Sequence, residues 1–105
     1  MTFWTAYEQS VLQSLAEFTM ADFGISEAQF HNRYARGEVS RARQTFALVA
    51  TDAGLPKGRV ADFIKMDPSY VSQTRKRRYE LRKTVEYIHL SGLISQLAGN
   101  GVPAK

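Results

Sequence analysis

The sequence predicts an all-α fold, a compact bundle of five to six helices containing a helix-turn-helix, on three observations. Apolar residues recur at steps of three and four along most of the chain, and no stretch alternates with period two. Stop and start signals at Gly24, Gly54-Leu55-Pro56 and Asp67-Pro68-Ser69 cut that pattern into short segments. The 105 residues, 44% of them apolar, are enough for one modest core and contain neither a repeat nor a linker. One domain over 1–105 is expected.

The first helix is expected from about Thr5 to Asp22, with Phe3, Tyr7, Val11, Leu15 and Phe18 on its inner face and Gly24 as its stop. Ser26 caps a brief second helix over Ala28 to Phe30. Asn32 to Glu38 reads as an arginine-rich loop containing Gly37. Ser40 is the expected cap of a third helix reaching about Ala53, with Ala42, Phe46, Val49 and Ala50 inward. Gly54 and Pro56 end it, and a short helix from Lys57 to Ile64 follows, apolar at Val60, Phe63 and Ile64. Asp67 and Pro68 then open a helix, since an aspartate accepts from free N–H groups and proline has none to leave unbonded. From there one uninterrupted helix past Lys83 is expected, striped by Val71, Thr74, Leu81, Val85 and Ile88 with Arg78 as the odd member. Tyr87, Leu90, Ile94 and Leu97 form a last apolar set on a rotated face, with a bend expected at Ser91-Gly92 and a frayed tail over 99–105.

Charge is distributed unevenly along these elements. The total of 14 basic and 10 acidic residues gives +4. Residues 1–32 carry four acids and no base, whereas residues 33–83 carry 13 bases against five acids, a local charge of +8. A basic segment of this kind suits a polyanion, and double-stranded DNA is the expected partner.

The same segment contains a short helix, the connection Lys65-Met66-Asp67 and a longer basic helix, so a helix-turn-helix is placed at about 57–83. With Val71 and Thr74 inward, Ser69, Tyr70, Gln73, Lys76 and Arg77 are expected to point outward near the start of the second helix. Glutamine can bond adenine through two atoms, serine and tyrosine reach bases or phosphates, and arginine and lysine pair with guanine edges or phosphates.

Several segments resemble the C-terminal DNA-binding domain of the bacterial replication-initiator family DnaA, a helix-turn-helix of the Trp-repressor-like group. Leu15-Ala16-Glu17-Phe18 and Gly24-Ile25-Ser26 resemble its Val-Ala-Glu-Tyr-Tyr and Ile-Ser segments. Val39-Ser40-Arg41-Ala42-Arg43-Gln44 is similar to Val-Ala-Arg-Pro-Arg-Gln, and Val60-Ala61-Asp62-Phe63-Ile64 to Ile-Gly-x-x-Phe. Asp67 to Thr74 falls where that family has Asp-His-Thr-Thr-Val-Leu-His-Ala. The resemblance covers roughly Val11 to Leu81. It implies that Asp67, Pro68, Ser69, Tyr70 and Gln73 form a base-reading edge, and that Arg41, Arg43 and Gln44 lie near phosphates. It implies that Arg36 (or Arg33) enters the minor groove. Pro68 and Gln73 stand where the family has histidines, and Tyr70 where it has a threonine.

Other classes are disfavoured. There is no cysteine for a disulfide, thiolate site or nucleophile, and Ala53-Gly54-Leu55-Pro56-Lys57-Gly58 lacks the spacing of a phosphate-binding loop. His31 and His89 have no ligand-spaced partners, so neither an enzyme nor a cofactor or metal is expected. No apolar run approaches the ~20 residues of a membrane span, and Met1-Thr2-Phe3-Trp4 does not open as a signal peptide. A cytoplasmic, nucleoid-associated regulator of transcription or replication, bacterial or phage, is the expectation. The alternative is a protein-interaction adaptor of the same fold, which would dock a partner or a second copy through its N- or C-terminal helix. RNA is the weaker polyanion, for want of an aromatic stacking sheet.

Overall fold

The computed structural model describes residues 6–32 and 34–101, with side chains over 8–96 apart from 33. The expected contacts of Phe3, Tyr7, Arg33 and Leu97 lie outside these residues, as does the chain from 102 onward. Within them the fold is all-helical, as the periodicity requires, with seven helices. They are α1 (Ala6–Phe23), α2 (Glu27–Phe30), α3 (Glu38–Asp52), α4 (Lys57–Phe63), α5 (Pro68–Lys76), α6 (Arg78–Leu81) and α7 (Val85–Gly101).

The early elements follow from local chemistry. At the end of α1, Gly24 takes φ 64°, and the amide of Ile25 reaches back to the Met20 carbonyl at 3.0 Å, closing the helix in a Schellman turn. Ser26 then starts α2 through a capping box: its Oγ accepts from the Gln29 amide at 3.1 Å, and Gln29 Oε1 accepts from the Ser26 amide at 2.8 Å. Ser40, expected as the cap of the third helix, lies inside it. α3 begins two residues earlier with Gly37 at its N-cap, and the Ser40 hydroxyl instead accepts from Gln44 Nε2 at 3.4 Å.

α3 is the axis of the molecule. From Ala42 to Ala50 every residue except Gln44 is buried, so this helix is covered nearly all round rather than along one stripe. α1 and α7 pack on it and on each other, while α4 and α5 pack together and against it from elsewhere on its surface. Leu12, Leu15, Phe30, Phe46, Val49, Val60, Ile64, Val71, Leu90 and Ile94 make one continuous core. Phe46 stands at its centre, edge-on to Phe30 at 5.4 Å and stacked on Phe63 at 5.5 Å. The radius of gyration, 12.8 Å, matches the ~13 Å of a close-packed chain this long.

The long helix expected from Pro68 past Lys83 is instead three. α5 stops at Lys76, α6 makes one turn, and Thr84 starts α7 by accepting from the Tyr87 amide at 3.2 Å through its hydroxyl. An unbroken helix would bring Arg75, Arg78 and Arg82 onto one face at steps of three and four, with mutual repulsion. The breaks let Arg75 and Arg82 converge on Asp52 instead, at 3.0 and 2.8 Å. They also rotate the chain, so Val85 and Ile88, expected inside, are 77% and 62% exposed. Tyr87, Leu90 and Ile94 take the inward positions. Ser91 and Gly92 do not interrupt α7, which runs to Gly101, two residues beyond the expected start of the tail at 99.

Candidate nucleic-acid interface

The expected site residues divide sharply between free and occupied. α4 ends in a Schellman turn in which the Met66 amide reaches the Ala61 carbonyl at 2.9 Å. Asp67 then caps α5, its Oδ1 accepting from the Ser69 amide at 2.9 Å. That bond to the Ser69 amide holds the Asp67 carboxyl below the usual aspartate range. Pro68 sits at the first helical position, as its missing N–H allows. Ser69, Gln73 and Lys76, at steps of four and three, share one exposed face of α5. The Lys57 ammonium on α4 donates to Ser72 Oγ at 2.9 Å and ties the two helices together beside that face.

Tyr70 does not belong to it. Its ring packs against the core, and its hydroxyl is buried without a hydrogen-bond partner. The physical reason is register: Tyr70 precedes Val71, and the two share the side of α5 facing the core.

The arginines of α3 are also otherwise engaged. Arg43, expected near phosphates, is 1% exposed. Its guanidinium donates to the carbonyls of Phe30, Asn32 and Ala35, fastening the 31–36 loop to α3. A planar five-donor group suits a loop whose carbonyls have no helical partners. Arg41 is held between Glu38 at 2.8 Å and Glu86 at 3.0 Å, with its guanidinium 4.8 Å over the Phe23 ring. The bonds to Glu38 and then Glu86 raise the affinity of Arg41 for its proton, and Arg41 in turn holds both carboxyls low. Gln44 is half-buried, its Oε1 accepting from Arg77 Nη1 at 2.8 Å. Arg77 itself is exposed and loosely paired with Glu80 at 3.4 Å.

The basic run contains a second focus that sequence spacing concealed. The Asp52 carboxylate, at the end of α3, receives Arg75, two nitrogens of Arg82 and the Tyr87 hydroxyl at 2.6 Å. Burial pushes its carboxyl up, but donation from Arg82, Tyr87 and Arg75 outweighs this and leaves it below the ordinary aspartate range. Arg75 and Arg82 are therefore structural cations. Among the described residues, Arg36, Lys65, Lys76 and Lys83 are exposed and make no ion pair. Lys57, Lys65 and Lys83 were not singled out by sequence. Only the partner of each cation distinguishes it from its neighbours, and the partners that bind Arg59, Arg75 and Arg82 come from distant parts of the chain.

No family model, curated protein or solved structure matches this chain. The resemblance to the initiator family thus rests on its residues alone. Among the described residues no group of three or more histidines and carboxylates could hold a metal ion, and no helix is long and apolar enough to cross a membrane.

Proposed function

We propose that this protein is a sequence-specific double-stranded DNA-binding protein, a small regulator of transcription or replication, in which α4 and α5 act as a helix-turn-helix. One observation carries the reading. Ser69, Gln73 and Lys76 stand exposed in a row along α5, from its first turn to its last residue, directly after a tight turn, with free cations before and after them. A helix with its first turns open can enter a major groove, where Gln73 and Ser69 meet base edges and Lys76, Arg77 and Lys83 meet phosphates. Arg36 lies in the loop that Arg43 fastens and is the candidate for a minor-groove or phosphate contact beyond the helix. On this reading Arg43 and Tyr70 act indirectly, by fastening the loop that bears Arg36 and by packing α5 onto the core, while Arg41 is engaged by Glu38 and Glu86.

Site selection from a random duplex pool tests this directly. The expected result is one enriched motif with affinity that falls steeply with salt; equal retention of every duplex excludes sequence-specific reading.

A second reading, association through α7, is favoured by Val85 and Ile88, apolar side chains standing exposed on successive turns of one helix. A second copy packed there would double the reading head. Light scattering expects a dimer that Ile88→Glu reduces to a monomer, and a monomeric wild type removes this reading.

A further inference from the structure

Three helices of this protein end in the same way. α1, α3 and α4 each close in a Schellman turn, with the second residue past the helix cap bonded six-to-one: Ile25 to Met20, Leu55 to Ala50 and Met66 to Ala61. The residue between must take a left-handed backbone. It is Gly24 at φ 64° and Gly54 at φ 100° in the first two cases, and Lys65 at φ 59° in the third. Lys65 is the only non-glycine residue among those described that adopts a positive φ. A Cβ in that conformation crowds the following carbonyl, and a lysine gains none of the local side-chain bonds that let asparagine tolerate it.

Among the described residues nothing uses the lysine that this backbone strains to carry. Its side chain is exposed, it forms no ion pair, and the hydrogen bonds of the turn are made by its backbone alone. Its location is specific: two residues before the Asp67 cap of α5, and close enough to His31 that its charge adds to the effect of burial, the larger of the two, in disfavouring protonation of that ring. It therefore lies beside the N-terminus of α5 and within electrostatic range of His31, in the loop that also bears Arg36. We propose that Lys65 is a phosphate-contacting residue of the duplex-binding surface, kept at a position shaped for glycine because its ammonium bridges the gap between α5 and the arginine loop. This rests on the duplex-binding reading and extends it to a residue whose conformation, rather than its place in a basic run, marks it out.

Stability and affinity should then move in opposite directions in one variant. The probe is a fluorescein-labelled duplex of random sequence, titrated by anisotropy at several salt concentrations, with urea unfolding measured in parallel. Lys65→Gly is expected to raise the urea midpoint, while weakening duplex binding about threefold and making the slope of log K against log salt shallower by about one. Lys65→Arg should keep the wild-type slope, and Lys65→Gln should lose it without the gain in stability. An unchanged slope in Lys65→Gly, or an equal loss in Lys65→Arg, overturns the assignment of Lys65 and leaves the duplex-binding reading standing. A wild type with no salt-dependent duplex affinity overturns both.

Discussion

Arg43 and Gln73 are both polar residues in the basic half of the chain, and the fold gives them opposite tasks. Gln73 is exposed on α5 with no structural bond, so its amide is available to an adenine edge. Gln73→Ala should leave stability within about 0.5 kcal/mol and cost roughly 1–3 kcal/mol of discrimination between the selected site and a competitor duplex. Competition titration reads this, and undiminished preference removes Gln73 from the reading edge. Arg43 is buried and bonded to the carbonyls of Phe30, Asn32 and Ala35. Arg43→Ala strips those carbonyls of their donor and opens a cavity, so a loss of about 3–5 kcal/mol in urea unfolding is expected. Sequence showed that both residues were polar and near a basic run. It did not show the difference, because Arg43 is surrounded by groups eight to thirteen positions away rather than by its neighbours on α3.

At the level of elements, the boundaries that were legible are those written in short-range chemistry: Gly24 closing α1, Ser26 capping α2, Asp67-Pro68 opening α5. Division of the basic segment into α5, α6 and α7 was not legible, because its cause is Asp52, 23 to 35 residues from its partners. A carboxylate at the negative end of α3 is unfavourable by itself, and convergence of Arg75, Arg82 and Tyr87 offsets that cost. Asp52→Asn removes the charge while keeping the shape, and should lower stability at neutral pH by about 1–3 kcal/mol. The sign of the pH dependence follows from the depressed carboxyl. Its contribution is fully present above the unfolded-chain value near 3.9 and is lost as pH falls through the lower folded value. Urea midpoints taken downward from pH 5 should therefore fall more steeply for the wild type than for Asp52→Asn; parallel curves would show that the cluster contributes nothing.

For the molecule as a whole, the charge gradient along the sequence is divided among the helices and partly cancelled where they meet. The acidic first segment forms α1 and α2, and α1 lies against α3 and α7; the basic segment supplies α4, α5 and α6. Some of the +8 is then consumed internally, by Glu8 on Arg59, Asp52 on Arg75 and Arg82, and Glu38 with Glu86 on Arg41. Among the described residues the cations left free or loosely held are Arg36, Lys57, Lys65, Lys76, Arg77 and Lys83, and on the proposed duplex-binding function they set how many phosphates this surface neutralises. A duplex contacting most of them should show a slope of log K against log salt of about −3 to −5. All the bases of residues 33–83 acting together would give a far steeper one. Lys76→Gln with Lys83→Gln should bring that slope about two nearer zero, because each lost contact releases about one counterion fewer. Arg75→Gln, which removes as much charge as Lys76→Gln alone, should lower the urea midpoint and leave the slope nearly unchanged. Anisotropy titrations across a salt series, paired with unfolding curves for the same variants, separate the two kinds of cation. Equal slope changes from Lys76 and Arg75 would mean that total charge, and not the partition made by Asp52, governs the binding.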